Sequence, residues 1–341
     1  MFKPKYTITN RLLGNVTRIH TLATQMNYYR FPTVVLAEFE KTARAVSAHA
    51  STSIEGNPLP LTEVKKILKN HPAHARDSEK EILNYNSALE FLNQKHITSD
   101  VSLQLLLETQ KMVTAGLLPK QESGNLRKTA VVVNDPRSGK IAYLPPDFKD
   151  VKTLLDSLFN FVTQNKSEID PLILAGIFHK QLVLIHPFTD GNGRTTRLVT
   201  KMLLATVGLN TFNLFSFENY YNQNVTKYFA SVGEYGDYYE LGDSVDFTNW
   251  LEYFTDGIID ELLRVERLLP RITTPKTAIT VNQQIILDII KDKSFVRDRD
   301  YAARTSRARA TRHKDFQKLI ALGIIELKGQ SRASYYVLKE T

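Results

Sequence analysis

Apolar positions along the chain recur mostly at helical spacing. Between Thr33 and Ser53 they fall at Val34, Val35, Leu36, Ala37, Phe39, Ala43 and Val46, which predicts one helix stopping near Gly56-Asn57-Pro58. Leu61–Leu68, Ser78–Asn93 and Ser99–Thr114 repeat the period between turn-rich connections. Pro171 suits the first helical position of a helix over Asp170–Leu184. A further helix from Gly193 to Val207 should end at Gly208. One stretch breaks this rhythm. Thr129–Asn134 is β-branched, Asp135-Pro136-Arg137-Ser138-Gly139 is turn chemistry, and Ile141-Ala142-Tyr143-Leu144 is a second short strand. A lone hairpin is marginal, so this one must pack on the helices or work as a flap.

Beyond the polar, proline-bearing stretch Leu269–Pro275 the pattern changes again. Asn282–Ile290, Asp298–Ala303 and Thr311–Leu322 read as helices, the last ending at Gly323. Ile324–Leu327 and Ser334–Leu338 read as a hairpin. Helices followed by a two-stranded wing make the winged variant of the helix-turn-helix. The expected fold class is therefore mainly α, a helical core with a β-hairpin, plus a C-terminal winged helix-turn-helix. The boundaries are an N-terminal helical region over 1–74, a core over 75–267 with its hairpin at 129–144, a linker over 268–278 and the winged helix over 279–341.

Composition narrows the partners. The 341 residues include no cysteine, which excludes disulfides, thiolate metal sites and a cysteine nucleophile. The N-terminus lacks the apolar segment of a signal peptide, and no apolar run approaches the ~20 residues of a membrane helix. A soluble, cytoplasmic protein with no membrane partner is expected. Net charge is +8, and residues 276–341 hold 14 Lys/Arg against 7 Asp/Glu, so almost all of the excess sits there. Arg297, Arg299, Arg304, Arg307, Arg309, Arg312, Lys314 and Lys318 fall within 22 residues. That clustering suits a DNA partner through 279–341, although winged helices also serve as protein-docking or dimer modules.

The densest chemistry lies in His186-Pro187-Phe188-Thr189-Asp190-Gly191-Asn192-Gly193-Arg194-Thr195-Thr196-Arg197. An apolar helix delivers a histidine into a tight turn, and a second helix begins a few residues later. Glycines allow close backbone approach to a ligand, and a helix N-terminus offers unpaired N–H groups to phosphates. Arg194 and Arg197, three apart, share a face. Asp190 is an oxygen donor suited to Mg²⁺ shared with phosphates. His186 titrates near neutrality and can take a proton from a hydroxyl. Together these groups point to phosphoryl-type transfer.

The segment resembles the signature of the Fic family, H-x-F-x-[DE]-G-N-G-R-x-x-R, and every specified position is met. The resemblance implies a protein adenylyltransferase that moves AMP from ATP to a Ser, Thr or Tyr hydroxyl of a protein, which can be itself. His186 would be the base and Asp190 the Mg²⁺ ligand. Gly191, Asn192, Gly193 and Arg194 would bind phosphates, and Arg197 the γ-phosphate. The hairpin would be a target-docking flap, with Ile141, Ala142 and Tyr143 in its pairing strand. Asn222–Val232 resembles the family helix whose aromatic stacks on adenine, with Tyr228 as the candidate. Upstream, Ser51-Thr52-Ser53-Ile54-Glu55-Gly56 resembles the family's inhibitory motif, which places Ser51 and Glu55 on one face. Glu55 would then pair bidentately with Arg197 and occupy the γ-phosphate position. Removal of AMP, transfer of UMP or phosphocholine, and a DNA-binding regulator with a minor enzymatic role stay open. So does a homodimer.

Overall fold

The computed structural model describes residues 2–27, 33–95, 101–135, 139–205, 208–209, 215–268, 279–329 and 334–339. The expected turn at Pro136-Arg137-Ser138, the helix end at Val207, the start at Ser99 and the linker over 269–278 lie outside them. In chain order the elements are α1 (Asn10–Asn27), α2 (Thr33–Ile54), α3 (Leu61–Asn70), α4 (Asp77–Lys95) and α5 (Leu103–Val113). Next come β1 (Val133–Asn134), β2 (Ile141–Leu144), α6 (Val151–Gln164), α7 (Pro171–Ile185) and α8 (Asn192–Ala205). After these lie α9 (Glu218–Gln223), α10 (Val225–Val232), β3 (Gly236–Asp237), α11 (Tyr238–Leu241) and α12 (Thr248–Leu268). The chain closes with α13 (Val281–Lys293), α14 (Asp298–Ala302), α15 (Arg309–Ala321), β4 (Ile325–Lys328) and β5 (Tyr335–Leu338).

The chain divides into two compact units, residues 1–24 with 42–262 and residues 25–41 with 263–341. In the first, α7 is mostly apolar and buried along nearly its whole length, as a central helix must be. Asp170 caps it by accepting from the Leu172 N–H at 2.8 Å, Pro171 opens it, and His186 ends it in the left-handed conformation at φ 49°. Around it lies one core in which Ala45, Ala48, Val64 and Ile67 join Tyr85, Leu106, Phe178, Leu198 and Met202. Residues 42–74 therefore share the core of the helices that follow. Among the described residues no helix is long and apolar enough to cross a membrane.

Only Val133 and Asn134 of the Thr129–Asn134 run are strand, which corrects the longer strand expected; the Thr129 carbonyl accepts instead from Arg127 Nη1 at 3.1 Å. The hairpin packs on a third strand. β2 lies between β1, antiparallel, and β3, parallel, with Tyr143 opposite Val133 on one side and Gly236 on the other.

The second unit buries Ile286, Leu287, Ile290, Tyr301, Phe316, Leu319 and Ile325 between α13, α14, α15 and the antiparallel β4-β5 pair, with Phe39 packed against them. Helix α13 starts with a capping box from Thr280 and Gln283. Several of the clustered cations are already engaged. Arg307 pairs with Asp315 and Arg312 with Asp298, each at 2.8 Å, and Arg304 with Asp292 at 3.4 Å. Arg309, His313 and Lys314 on α15 are exposed.

Candidate active site

The turn between α7 and α8 is held open by side chains, not by chance geometry. Asn192 Oδ1 accepts from the Phe188 N–H and its Nδ2 donates to the Phe188 carbonyl, both at 2.9 Å. Gln110 on α5 donates to the Asp190 carbonyl at 3.1 Å. Arg127, 4% exposed, is a clamp that no motif or spacing announces. Its Nε donates to the His186 carbonyl at 2.8 Å, and its two Nη groups take the carbonyls of Thr129 and Pro146 at the feet of the β1-β2 hairpin. One guanidinium thus fixes the histidine's backbone relative to the flap.

His186 is half-buried on the wall of a cavity of about 530 Å³. Its Nδ1 lies 3.3 Å from the Val183 carbonyl. A carbonyl can only accept, so Nδ1 carries the proton and Nε2 is left with its lone pair. Burial pushes the imidazole pKa down to about 4, outweighing the Val183 bond and the Glu55 charge that raise it. The ring is neutral at physiological pH, so the Nε2 lone pair is free to accept a proton.

Asn192, Gly193 and Arg197 line the same cavity, whereas Asp190, Gly191 and Arg194 do not. Asp190 has a half-exposed side chain that accepts from the Gly191 N–H at 2.6 Å and pairs with Arg194 Nη2 at 3.0 Å. Arg194 is 3% exposed and also faces Glu81 at 3.2 Å. The expected phosphate set is thus split between the cavity wall and an ion-paired cluster beside it.

The two ends of the upstream motif do meet the second arginine. Arg197 is fully buried, with Nη2 2.7 Å from Glu55 Oε1. The expected bidentate pair is not formed. Ser51 takes two further donors, its Oγ from Nε and its carbonyl from Nη2, both at 2.8 Å. Burial pulls the guanidinium pKa down, but Glu55 and the Tyr228 and Tyr85 hydroxyls outweigh it and leave it above its ordinary value. A methyl group at Gly193 would overlap Glu55 Oε1, so this glycine admits the carboxylate to the start of α8.

One helical turn away sits a second polar layer. Glu218, fully buried, accepts from Tyr85 Oη at 2.6 Å and Ser47 Oγ at 2.9 Å, with Lys201 Nζ at 3.3 Å. Helix α2 is therefore pinned to α8 twice, through Ser47–Lys201 and through Ser51–Arg197. Nothing in the periodicity of α2 distinguishes these serines from ordinary helix-surface residues.

Tyr228, the expected base-stacking residue, lines the cavity wall with little of its ring exposed. It is 1% exposed, its ring stacks on Tyr221 at 4.9 Å, and its hydroxyl lies 3.2 Å from His179 Nε2 and 3.4 Å from Arg197 Nη1. It is a core residue that steadies the arginine. His179 is fully buried between Tyr228 and Thr200. In the flap strand, Ile141 is exposed while Tyr143 is buried and donates its hydroxyl to the Leu184 carbonyl at 3.0 Å. Its backbone is paired on both sides, so Tyr143 anchors the flap and cannot take a further strand.

Residues 100–204 match the Fic/DOC family. The chain is similar to protein adenylyltransferase fic-1 of Caenorhabditis elegans, 30% identical over 198 residues that cover 56% of this chain and 37% of that protein. It is also similar to protein adenylyltransferase Fic of Culex quinquefasciatus, 31% identical over 179 residues, 51% of this chain and 34% of the other. The chain thus spans little more than a third of the curated relatives it matches. Among solved structures, a Fic family protein from Desulfovibrio desulfuricans G20 has the same fold with a TM-score of 0.67 at 20% identity, covering 100% of this chain and 99% of the other. Fic-1 of C. elegans (residues 134–508) gives a TM-score of 0.60 at 23% identity over 77% of this chain and 74% of that one.

Proposed function

We propose that this chain, whose residues 100–204 belong to the Fic/DOC family, is a protein adenylyltransferase held idle by its own Glu55. The observation that carries the reading is a neutral histidine and a salt-bridged arginine facing one cavity at the start of a helix. His186 Nε2 takes the proton of a protein hydroxyl, whose oxygen attacks the α-phosphorus of ATP. The bond to the bridging oxygen breaks and pyrophosphate leaves. The N–H groups at the start of α8 and the Arg197 guanidinium receive the phosphates.

Asp190 would supply an oxygen donor for Mg²⁺. Among the described residues no cluster of three or more acidic or histidine side chains surrounds it, a donor set that suits an ion held largely by phosphates and water. When bound, the ion neutralises charge on the phosphates and the leaving pyrophosphate.

Glu55 supports the resting state because its carboxylate holds the guanidinium that the γ-phosphate needs. Both are anions competing for one fork. A protein target pairs with the flap at Ile141 and Ala142, the half of β2 that β3 leaves open. The test is direct: with labelled ATP, Glu55→Gly incorporates label and Glu55→Gly/His186→Ala does not. Equal labelling of the two would sink the assignment of His186.

For the C-terminal unit, a winged helix, the exposed Arg309, His313 and Lys314 on α15 support contact with nucleic acid phosphates. Full-length protein should then shift a labelled duplex at low salt and release it as salt rises. No shift at low salt removes that partner.

A further inference from the structure

Five hydroxyl side chains line the cavity in front of His186: Ser53, Tyr143, Thr226, Tyr228 and Tyr235. Two are committed elsewhere, Tyr143 to the Leu184 carbonyl and Tyr228 to His179 and Arg197, and both are buried. Ser53 lies in the last turn of α2, and Thr226 in the first turn of α10. Tyr235 is different in kind. It is 63% exposed and immediately precedes β3.

That position matters because β3 runs parallel to the flap strand, with Gly236 opposite Tyr143 and Asp237 opposite Leu144. One step back along the same register puts Tyr235 beside Ala142, on the edge of β2 that a target strand would use. A segment of the chain itself thus runs up to the place where a target would pair, with a phenol at the cavity.

The segment is fixed at both ends. On its N-terminal side Lys180 of α7, 3% exposed, holds Glu234 Oε1 at 2.7 Å and reaches the carbonyls of Ser231 at 3.2 Å and Gly233 at 3.4 Å. On its C-terminal side Gly236 sits at φ +112°, a conformation other residues rarely adopt, and turns the chain into β3. Lys180 belongs to the helix that His186 ends, so acceptor and base are referenced to one rigid element.

We propose that Tyr235 is an intramolecular acceptor, adenylylated by its own active site once Glu55 releases Arg197. This rests on the adenylyl-transfer reading above. The Tyr235 Oη–P bond to the α-phosphorus forms as the α–β bridging P–O bond breaks. The phenolic proton goes to His186 Nε2, and the nucleoside triphosphate leaves as pyrophosphate. The modified tyrosine keeps AMP bound at the flap edge, so the same reaction closes the groove to protein targets.

The test uses the full chain carrying Glu55→Gly, with ATP labelled in the adenosine portion, in the presence of a cell lysate. Tandem mass spectrometry should place AMP on Tyr235, and Tyr235→Phe should lower self-labelling by at least about tenfold. The self-labelling rate per molecule should not change on dilution, and a Glu55→Gly/His186→Ala copy with a distinguishing tag should stay unlabelled when mixed in. Label on Ser53, Thr226, Tyr238 or any other residue, or a rate that rises with protein concentration, overturns the proposal. Label on lysate proteins with none on Tyr235 overturns it while leaving adenylyl transfer intact. No label on any protein removes both.

Discussion

Replacing Glu55 by glycine should raise the initial rate of adenylyl transfer at saturating ATP by roughly 30-fold. The figure follows from the ion pair. Two unit charges about 4 Å apart in surroundings of effective dielectric near 20 attract by about 4 kcal/mol. The Glu55 side chain is 31% exposed, so solvent screening and side-chain entropy discount this by about half. About 2 kcal/mol remains to be overcome by the γ-phosphate, and each 1.36 kcal/mol is tenfold in rate. Glu55→Gln keeps a hydrogen-bond acceptor but loses the charge, and should give about a fivefold rise. The assay is incorporation of label from ATP over the first few per cent of reaction, with circular dichroism confirming the fold of each variant. A rise below about threefold in Glu55→Gly, or no rise at all in Glu55→Gln, refutes electrostatic occupation of Arg197 as the brake.

Three further outcomes follow from the same geometry. The imidazole of His186, assigned by comparison with His186→Ala, should not titrate by NMR between pH 8 and about 5.5, because burial holds its pKa at about 4; a midpoint near the ordinary 6.5 contradicts the buried setting. The unfolded chain then binds this proton first, so stability from this group is lost as pH falls from 6.5 towards 4. Lys201→Met should cost about 3 kcal/mol in denaturant unfolding by leaving the Glu218 charge buried and unpaired, and adding Glu218→Gln should recover about half; full additivity of the two losses would argue against the pair. Arg127→Lys should lower kcat about tenfold with little change in KM for ATP, since an ammonium cannot hold the His186, Thr129 and Pro146 carbonyls together; an unchanged kcat removes Arg127 as a positioning residue.

Much of the architecture was legible because local signals agreed. Pro171, the largely apolar run behind it and the glycines at 191 and 193 each mark a boundary; α7 falls within a residue of its expected limits and α8 starts within a residue of its own. The C-terminal helices and their hairpin were legible for the same reason. What local signals could not carry was pairing at long range. β3 is two residues, far too short to announce itself, yet it turns a hairpin into a three-stranded sheet and fixes Tyr143. Arg127, Ser47 and Glu218 read as ordinary polar residues and acquire their roles only when distant helices meet. The packing of Tyr228 was hidden for a related reason: an aromatic at helical spacing looks alike whether it faces a base or stacks on Tyr221. The pairing of Glu55 with Arg197 was reachable because a motif named both ends, but the part played by the Ser51 carbonyl was not.

The central claim is that the group transferred is the α-phosphoryl with its nucleoside, taken by a hydroxyl that His186 deprotonates. Parallel reactions of the Glu55→Gly chain with ATP labelled at the α-phosphorus and at the γ-phosphorus test it most directly. Stable protein-bound label from the α position, γ label recovered only as pyrophosphate, and neither on protein when His186→Ala is added is the predicted result. Label from the γ position on protein, or α label that survives His186→Ala, would contradict it.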